Sequence, residues 1–458
     1  MLTDGRHVTS TVALAVLAVF VVYLPITAVS VALVRIGADT GASTSGLQWV
    51  TDSYIIPMTA LILSAGVFGD IHGRKRVYLL GMATTALGAT VAGLAGTLSG
   101  TDGLHALWAG QAIMGAGGGM LLPTTLALIG HAVPDFAARS RYIALWATGL
   151  VLGLAVGPIM SGLILEQLGW GWIFAPVAVA ALGATLVAAR TLPESSSPEG
   201  RHLDWPGQFT ATVAIAASIF GVIEGGSQGW GSAAALIGLI GGGLAFAAFV
   251  AVEMRVSSPA MRMSLFRSPT FAATSVAAPA ALFALVGAIF VLSLFFGRVQ
   301  HLSPLEIGAR LLFLNGVTAV ANPFVGRLMA RVRPMIVLTV GLAMIAVSLV
   351  LISGLDASTG LGAIAWRLTL LGVADALVLS AIPLAALSSV PHELAGMAST
   401  ANTVLRQYGG ALGPAVLGVI VAHGSTFTDG MRSALIVGAV VVGATAAGCA
   451  VTALRSSR

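Results

Sequence analysis

Long apolar runs follow one another along this whole chain, each close to the length needed to cross a bilayer. A spanning helix takes about 20 mostly apolar residues, and fourteen stretches satisfy that ruler. They fall at 10–34, 47–70, 77–99, 105–131, 141–166 and 170–190, then at 207–227 and 232–252. The last six are 270–297, 305–329, 334–354, 361–390, 396–422 and 431–453. The first run is longer than a signal-peptide core and reads as a retained span. Charge agrees with this reading: 9% of the residues are charged, against about a quarter in soluble domains. So few charges cannot cover a water-facing surface. Lipid asks for apolar cover instead.

Basic residues then set a topology. With the N-terminus in the cytoplasm, every second connection is cytoplasmic. Those connections and the two termini hold sixteen of the 22 Lys and Arg residues, among them Arg74, Lys75, Arg76, Arg139, Arg141, Arg327, Arg331 and Arg333. Arg35, Arg298 and Arg432 remain outside, with Arg310 and Arg367 just inside helix ends. The positive-inside rule therefore expects both termini in the cytoplasm. Spread between apolar runs, these groups do not make a nucleic-acid surface. A single cysteine, Cys449, excludes a disulfide framework within the chain. No metal-ligand spacing and no phosphate-binding G-x-x-x-x-G-K-[ST] occurs. Neither enzyme chemistry nor a cofactor is expected.

Two glycine-rich motifs stand out. Gly66, Asp70, Gly73, Arg74, Lys75 and Arg76 lie between spans two and three. Gly149, Gly153, Gly157, Pro158 and Gly162 recur along span five. The first suits a tight turn at the bilayer edge, with Asp70 pairing a basic neighbour or capping a helix. The second is a small-residue stripe against which another helix packs closely, with Pro158 bending its own helix. Together they resemble the signatures of the major facilitator superfamily, the second marking its antiporters. Further segments resemble the fourteen-helix drug:proton antiporter branch: Leu47–Tyr54, His202–Gly207, Glu224–Trp230, Ser303-Pro304 and Ala395–Gly413.

The resemblance implies an all-α membrane fold with two six-helix bundles, 1–190 and 255–458. A cytoplasmic linker, 191–206, and an inserted helix pair, 207–254, lie between them. Pro323, Gly326, Arg327, Arg331 and Arg333 echo the first motif in the second half, with Ala330 in the place of its Asp. Such repeats put a substrate site near mid-bilayer. The implied activity is export of amphiphilic small molecules across a bacterial plasma membrane by a monomer. Its coupling partner would be protons or another ion. Two departures leave coupling open: Pro25 stands where the family usually has an acid in span one, and Gln111 where it usually has an arginine in span four. A metabolite exporter or uniporter, and a receptor or assembly factor without transport, are the alternatives.

Ionisable groups within a span cost about 2.5–3.5 kcal/mol on insertion scales, so each invites a functional reading. Asp375 in span twelve and Arg406 in span thirteen reach similar depth and are expected to pair, permanently or as a titrating site. Asp52 opens span two as a proton or cation site, or as a wet helix-start carboxylate. Glu224 reads as a wet helix end, and Arg298 and His301 either as lining of an outer vestibule or as wet helix ends. Gln111, Asn315, Asn322 and Asn402 read first as hydrogen-bonding glue between helices.

Overall fold

The computed structural model describes residues 5–133, 136–196, 204–256, 259, 261–329, 331–391 and 394–455. Ala330 and His202, named above, lie outside them. The described residues form fourteen α-helices and two short 3₁₀ turns, with no strand among them. In order these are α1 (Gly5–Thr40), α2 (Thr44–His72), α3 (Arg74–Ala95), α4 (Gly100–Ala132), α5 (Phe136–Gln167), α6 (Ala175–Thr191) and α7 (Trp205–Gln228). Then follow α8 (Ala233–Glu253), α9 (Pro269–Arg298), α10 (Pro304–Met329), α11 (Pro334–Ser353), α12 (Leu361–Ser388), α13 (Ala395–Ala422) and α14 (Phe427–Arg455). Thirteen are long and apolar enough to cross a membrane, and α2, bent by 50° between Ile62 and Ser64, makes a fourteenth as one span. Backbone amides and carbonyls cannot remain unpaired in hydrocarbon, and a helix pairs them within itself.

The chain divides into two compact units, Met1–Ala42 with Trp49–Gln208, and Ser43–Gln48 with Phe209–Arg458. Within the first, α3 packs on α4 and α6, and α1 packs on α4 and α5. Tyr54 and Tyr78 bury their rings and donate to the carbonyls of Val22 and Leu14, tying α2 and α3 to α1. Within the second, α9 packs on α13 and α14, while α12 packs on α10 and α11. The hydroxyls of Ser218 and Tyr408, 3.0 Å apart, tie α7 to α13. Gln48 belongs to this unit: its amide donates to the carbonyls of Pro414 and Ala415 at 3.1 and 3.2 Å.

Each unit uses one packing device that the other repeats. α2 and α4 run in the same direction, and Gly115 sits against the carbonyl of Tyr54; α10 and α12 also run together, with Gly372 against the carbonyl of Leu314. A methyl group at either glycine would collide with backbone. Outward faces are apolar instead of charged: Val179, Phe209, Ile237 and Leu244 are among the most exposed side chains. That is the distribution a lipid solvent selects.

Candidate functional site

The turn after α2 is the most fully built of the predicted sites. Asp70, nearly buried, accepts from Arg74 Nη2 at 2.7 Å and Nε at 3.0 Å, so the motif's acid pairs one helical turn ahead. Gly73 between them has φ +108°, open to glycine and strained for other residues. Its role is also spatial, because a Cβ there would lie 2.6 Å from the carboxylate of Glu194. Glu194 accepts from the Lys75 amide at 3.0 Å and lies 3.8 Å from Arg76. The Arg74 amide donates to the Ser195 carbonyl at 2.9 Å, and Lys75 Nζ to the Ala189 carbonyl at 2.9 Å. An anion over the first-turn amides of α3 satisfies donors that the helix itself cannot. Glu194 was not singled out in the sequence, although the acid sits just beyond span six, where a chain returning to that membrane face would meet the basic turn.

The stripe on α5 faces α1. Gly149 packs on Val16, Gly153 on Phe20 and Tyr23, and Gly157 on Leu24 and Thr27. The Thr27 hydroxyl donates to the Leu154 carbonyl at 3.0 Å. Gly162, in the same helix, is buried. Thr27 too went unremarked, because a threonine in an apolar run carries no sequence signal of its own.

Asp52 is fully buried in α2, and among the described residues neither carboxylate oxygen has a hydrogen-bond partner. It is therefore not a wet helix-start carboxylate. Gln111 is also buried, and its amide bridges α4 to α2 through the Val50 carbonyl at 2.9 Å, leaving its own oxygen without a donor.

In the second unit, a polar seam runs between α10 and α12. Buried Asp375 accepts from the Thr318 hydroxyl at 3.2 Å, and that hydroxyl also lies 3.1 Å from the Gly372 carbonyl. Arg406 of α13 also acts on Asp375 electrostatically. One turn along, Ser380 donates to Asn322; on the other side, buried Asn315 leaves its Nδ2 without an acceptor. Asn402 donates to the Thr274 carbonyl, linking α13 to α9. Glu224 bonds its helical neighbours Ser227 and Gln228 at the end of α7. Asp52 and Asp375 thus belong to different units, and each is buried within a span.

Fourteen apolar helices, repeated packing in two units and buried carboxyls inside spans define a multi-pass membrane protein of the transporter type. The chain belongs to the Major Facilitator Superfamily, whose sequence profile matches residues 15–414. It is similar to the Multidrug resistance protein Stp of Mycobacterium tuberculosis (strain CDC 1551 / Oshkosh), with 32% identity over 415 residues, 89% of this chain and 74% of that one. It is also similar to the Tetracenomycin C resistance and export protein of Streptomyces glaucescens, with 32% identity over 430 residues, 93% of this chain and 78% of that one. In fold it resembles the crystal structure of the POT family transporter PepTSo, with a TM-score of 0.72, 13% identity and 98% coverage of both chains.

Proposed function

We propose that this protein exports amphiphilic small molecules from a bacterial cell by alternating access, driven by an ion gradient in which protons are the coupling species. It would do so as a plasma-membrane monomer with both termini in the cytoplasm. The observation that carries coupling is Asp52, wholly buried within a span and without a hydrogen-bond donor to either oxygen. A bare carboxylate there is costly, whereas a bound proton or cation removes the uncompensated charge. Asp375 is the second carrier, bonded by the Thr318 hydroxyl, with Arg406 acting on it electrostatically. Pro25 and Gln111 leave the usual family positions without ionisable groups, so Asp52 and Asp375 take over the task. The drug-resistance and export names of the two relatives support the direction and the cargo class.

Facilitated export without coupling is the second reading, favoured by the bond that already commits the Gln111 amide to Val50. Everted vesicles separate the two. Uptake of a fluorescent amphiphilic dye would be followed with and without an imposed pH gradient, in wild type, Asp52→Asn and Asp375→Asn. Gradient-driven uptake that either substitution abolishes is the expected result. Uptake indifferent to the gradient and to both substitutions hands the case to the uncoupled reading.

A further inference from the structure

Apart from Arg406 inside α13, the described arginines of the second unit lie near its two ends. Arg255, Arg262, Arg267, Arg327, Arg331 and Arg333 flank the connections at one end. Arg298, Arg310 and Arg367 sit at the other, at the close of α9 and within the first two turns of α10 and α12. Gln300 ties one of this second group, Arg310, to a neighbouring connection. Its amide donates to the carbonyls of Asp356 and Thr359 at 3.1 and 3.2 Å, in the connection that leads into α12, while its oxygen accepts from Arg310. The Arg310 guanidinium also lies 5.3 Å from the Phe296 ring centre, two residues before Arg298. Because α10 and α12 run in the same direction, the offset that carries Thr318 to Asp375 also carries Arg310 to Arg367. The two arginines therefore stand at one height.

Glu306, one turn before Arg310, acts on it electrostatically, but neither Glu306 nor Asp356 bonds these arginines among the described residues. Glu306 is engaged in a capping box, accepting from the Ser303 amide at 2.8 Å while its own amide donates to the Ser303 hydroxyl. Asp356 accepts from Ser358 and Thr359 of its own turn. Arg367 has Nε and Nη1 buried with no hydrogen-bond acceptor among the described residues, its guanidinium 5.4 Å from the ring centre of Trp366. Arg298 likewise has no acceptor among the described residues. Guanidinium nitrogens that are buried and unpaired are unfavourable, and their planar fork of donors fits a carboxylate or phosphate. Trp366 is 48% exposed beside it, an amphipathic ring of the kind that settles at headgroup level.

We propose that Arg298, Arg310 and Arg367 form an oxyanion site that holds the phosphate or carboxylate of an amphiphile at this end of the second unit. The anion comes from a lipid headgroup of the adjoining leaflet or from a transported molecule. Site occupancy involves no transport step, so the proposal stands or falls apart from the export reading.

The test is thermal unfolding of the purified full-length protein in nanodiscs. Discs of phosphatidylcholine alone are compared with discs enriched in phosphatidylglycerol, and octyl phosphate is titrated separately into the former. Wild type is expected to melt several degrees higher with at least one of these anions. Arg367→Gln and Arg298→Gln should lose most of that rise, Arg367→Lys should keep part of it, and the control Arg455→Gln should keep all of it. A rise with phosphatidylglycerol alone assigns the site to lipid; a rise with octyl phosphate assigns it to a soluble amphiphile. No rise with either anion, or the same rise in the glutamine variants, overturns the proposal. If Arg367→Gln does not fold, Arg298→Gln and Arg367→Lys carry the comparison.

Discussion

The Thr27 hydroxyl donates to the Leu154 carbonyl, the acceptor in α5 that Pro158 leaves without its helical N–H. Proline at 158 cannot return the bond to the residue four before it, so α5 would carry an orphan acceptor within a span. A threonine on α1 supplies the missing proton, and Gly157 leaves the space for its hydroxyl. Thr27→Val is expected to lower stability by about 1–2 kcal/mol, and Thr27→Ser by less. The decisive comparison is in a Pro158→Ala background, where residue 158 regains its amide and bonds Leu154 itself. There Thr27→Val should cost little, and a cycle of melting measurements reads the difference as a coupling energy. An equal cost in both backgrounds would falsify the account.

Glu194 binds the turn from Gly73 to Arg76 from across the unit. Glu194→Ala should raise amide hydrogen exchange at Lys75 and Ser195, both of which donate to its carboxylate, and lower stability by about 1 kcal/mol. Gly73→Ala should be worse, and Glu194→Ala should rescue it only in part. Removing the carboxylate relieves the collision, while the positive φ still strains alanine. Full rescue would mean that the collision alone explains the glycine.

Much of this was legible in the sequence because spanning helices are selected by length and apolarity, both local properties. All fourteen helices overlap the expected runs. α2 needed more than hydropathy: its 50° bend follows no simple count of apolar residues. The two glycine motifs were visible as spacing, and their partners were not. Thr27, Glu194 and Thr318 lie 127, 119 and 57 residues from the groups they serve. Such pairings arise from tertiary packing, and a lone threonine in an apolar run looks the same whether it bonds its own helix or another. Similar depth led to Arg406 as a partner of Asp375, and Arg406 does act on it electrostatically, while the bond from Thr318 had no sequence signal.

Acid should loosen one connection before it touches the spans. The Asp356 carboxyl, between α11 and α12, is held below the usual aspartate range by hydrogen bonds from Ser358 and Thr359. A depressed folded-state pKa contributes stability that is present above the unfolded value, about 3.9, and is lost as pH falls through the lower folded value. The gap in melting temperature between wild type and Asp356→Asn should therefore be constant above about pH 5 and close below about pH 4. A gap that instead widened in acid would reverse the assigned sign.

Gly115 and Gly372 perform the same task in the two units, so the same substitution should have the same kind of effect. Alanine at either position meets a backbone carbonyl, Tyr54 or Leu314, and the parallel pair must separate. A loss of about 1–3 kcal/mol is expected for each, typical of overpacking. Alanine at Gly241, whose added Cβ would meet nothing within 4 Å, is the control and should be stable or slightly stabilising. Equal behaviour of all three in thermal unfolding would remove the claim that α2/α4 and α10/α12 depend on backbone approach.

Thr318 offers the sharpest test of the polar seam, because it touches Asp375 without being an acid itself. Thr318→Val keeps the shape and removes a donor to a buried carboxyl, a bond of about 1.5–3 kcal/mol when the acceptor is charged. The charged form of Asp375 would then rely on Arg406 alone. Gradient-driven dye uptake in everted vesicles should fall roughly tenfold or more, while Thr318→Ser should stay near wild type. Structural damage alone would slow gradient-driven and gradient-free uptake together. A role in coupling should slow the first and spare the second, and an unchanged ratio between them would leave Thr318 as packing only.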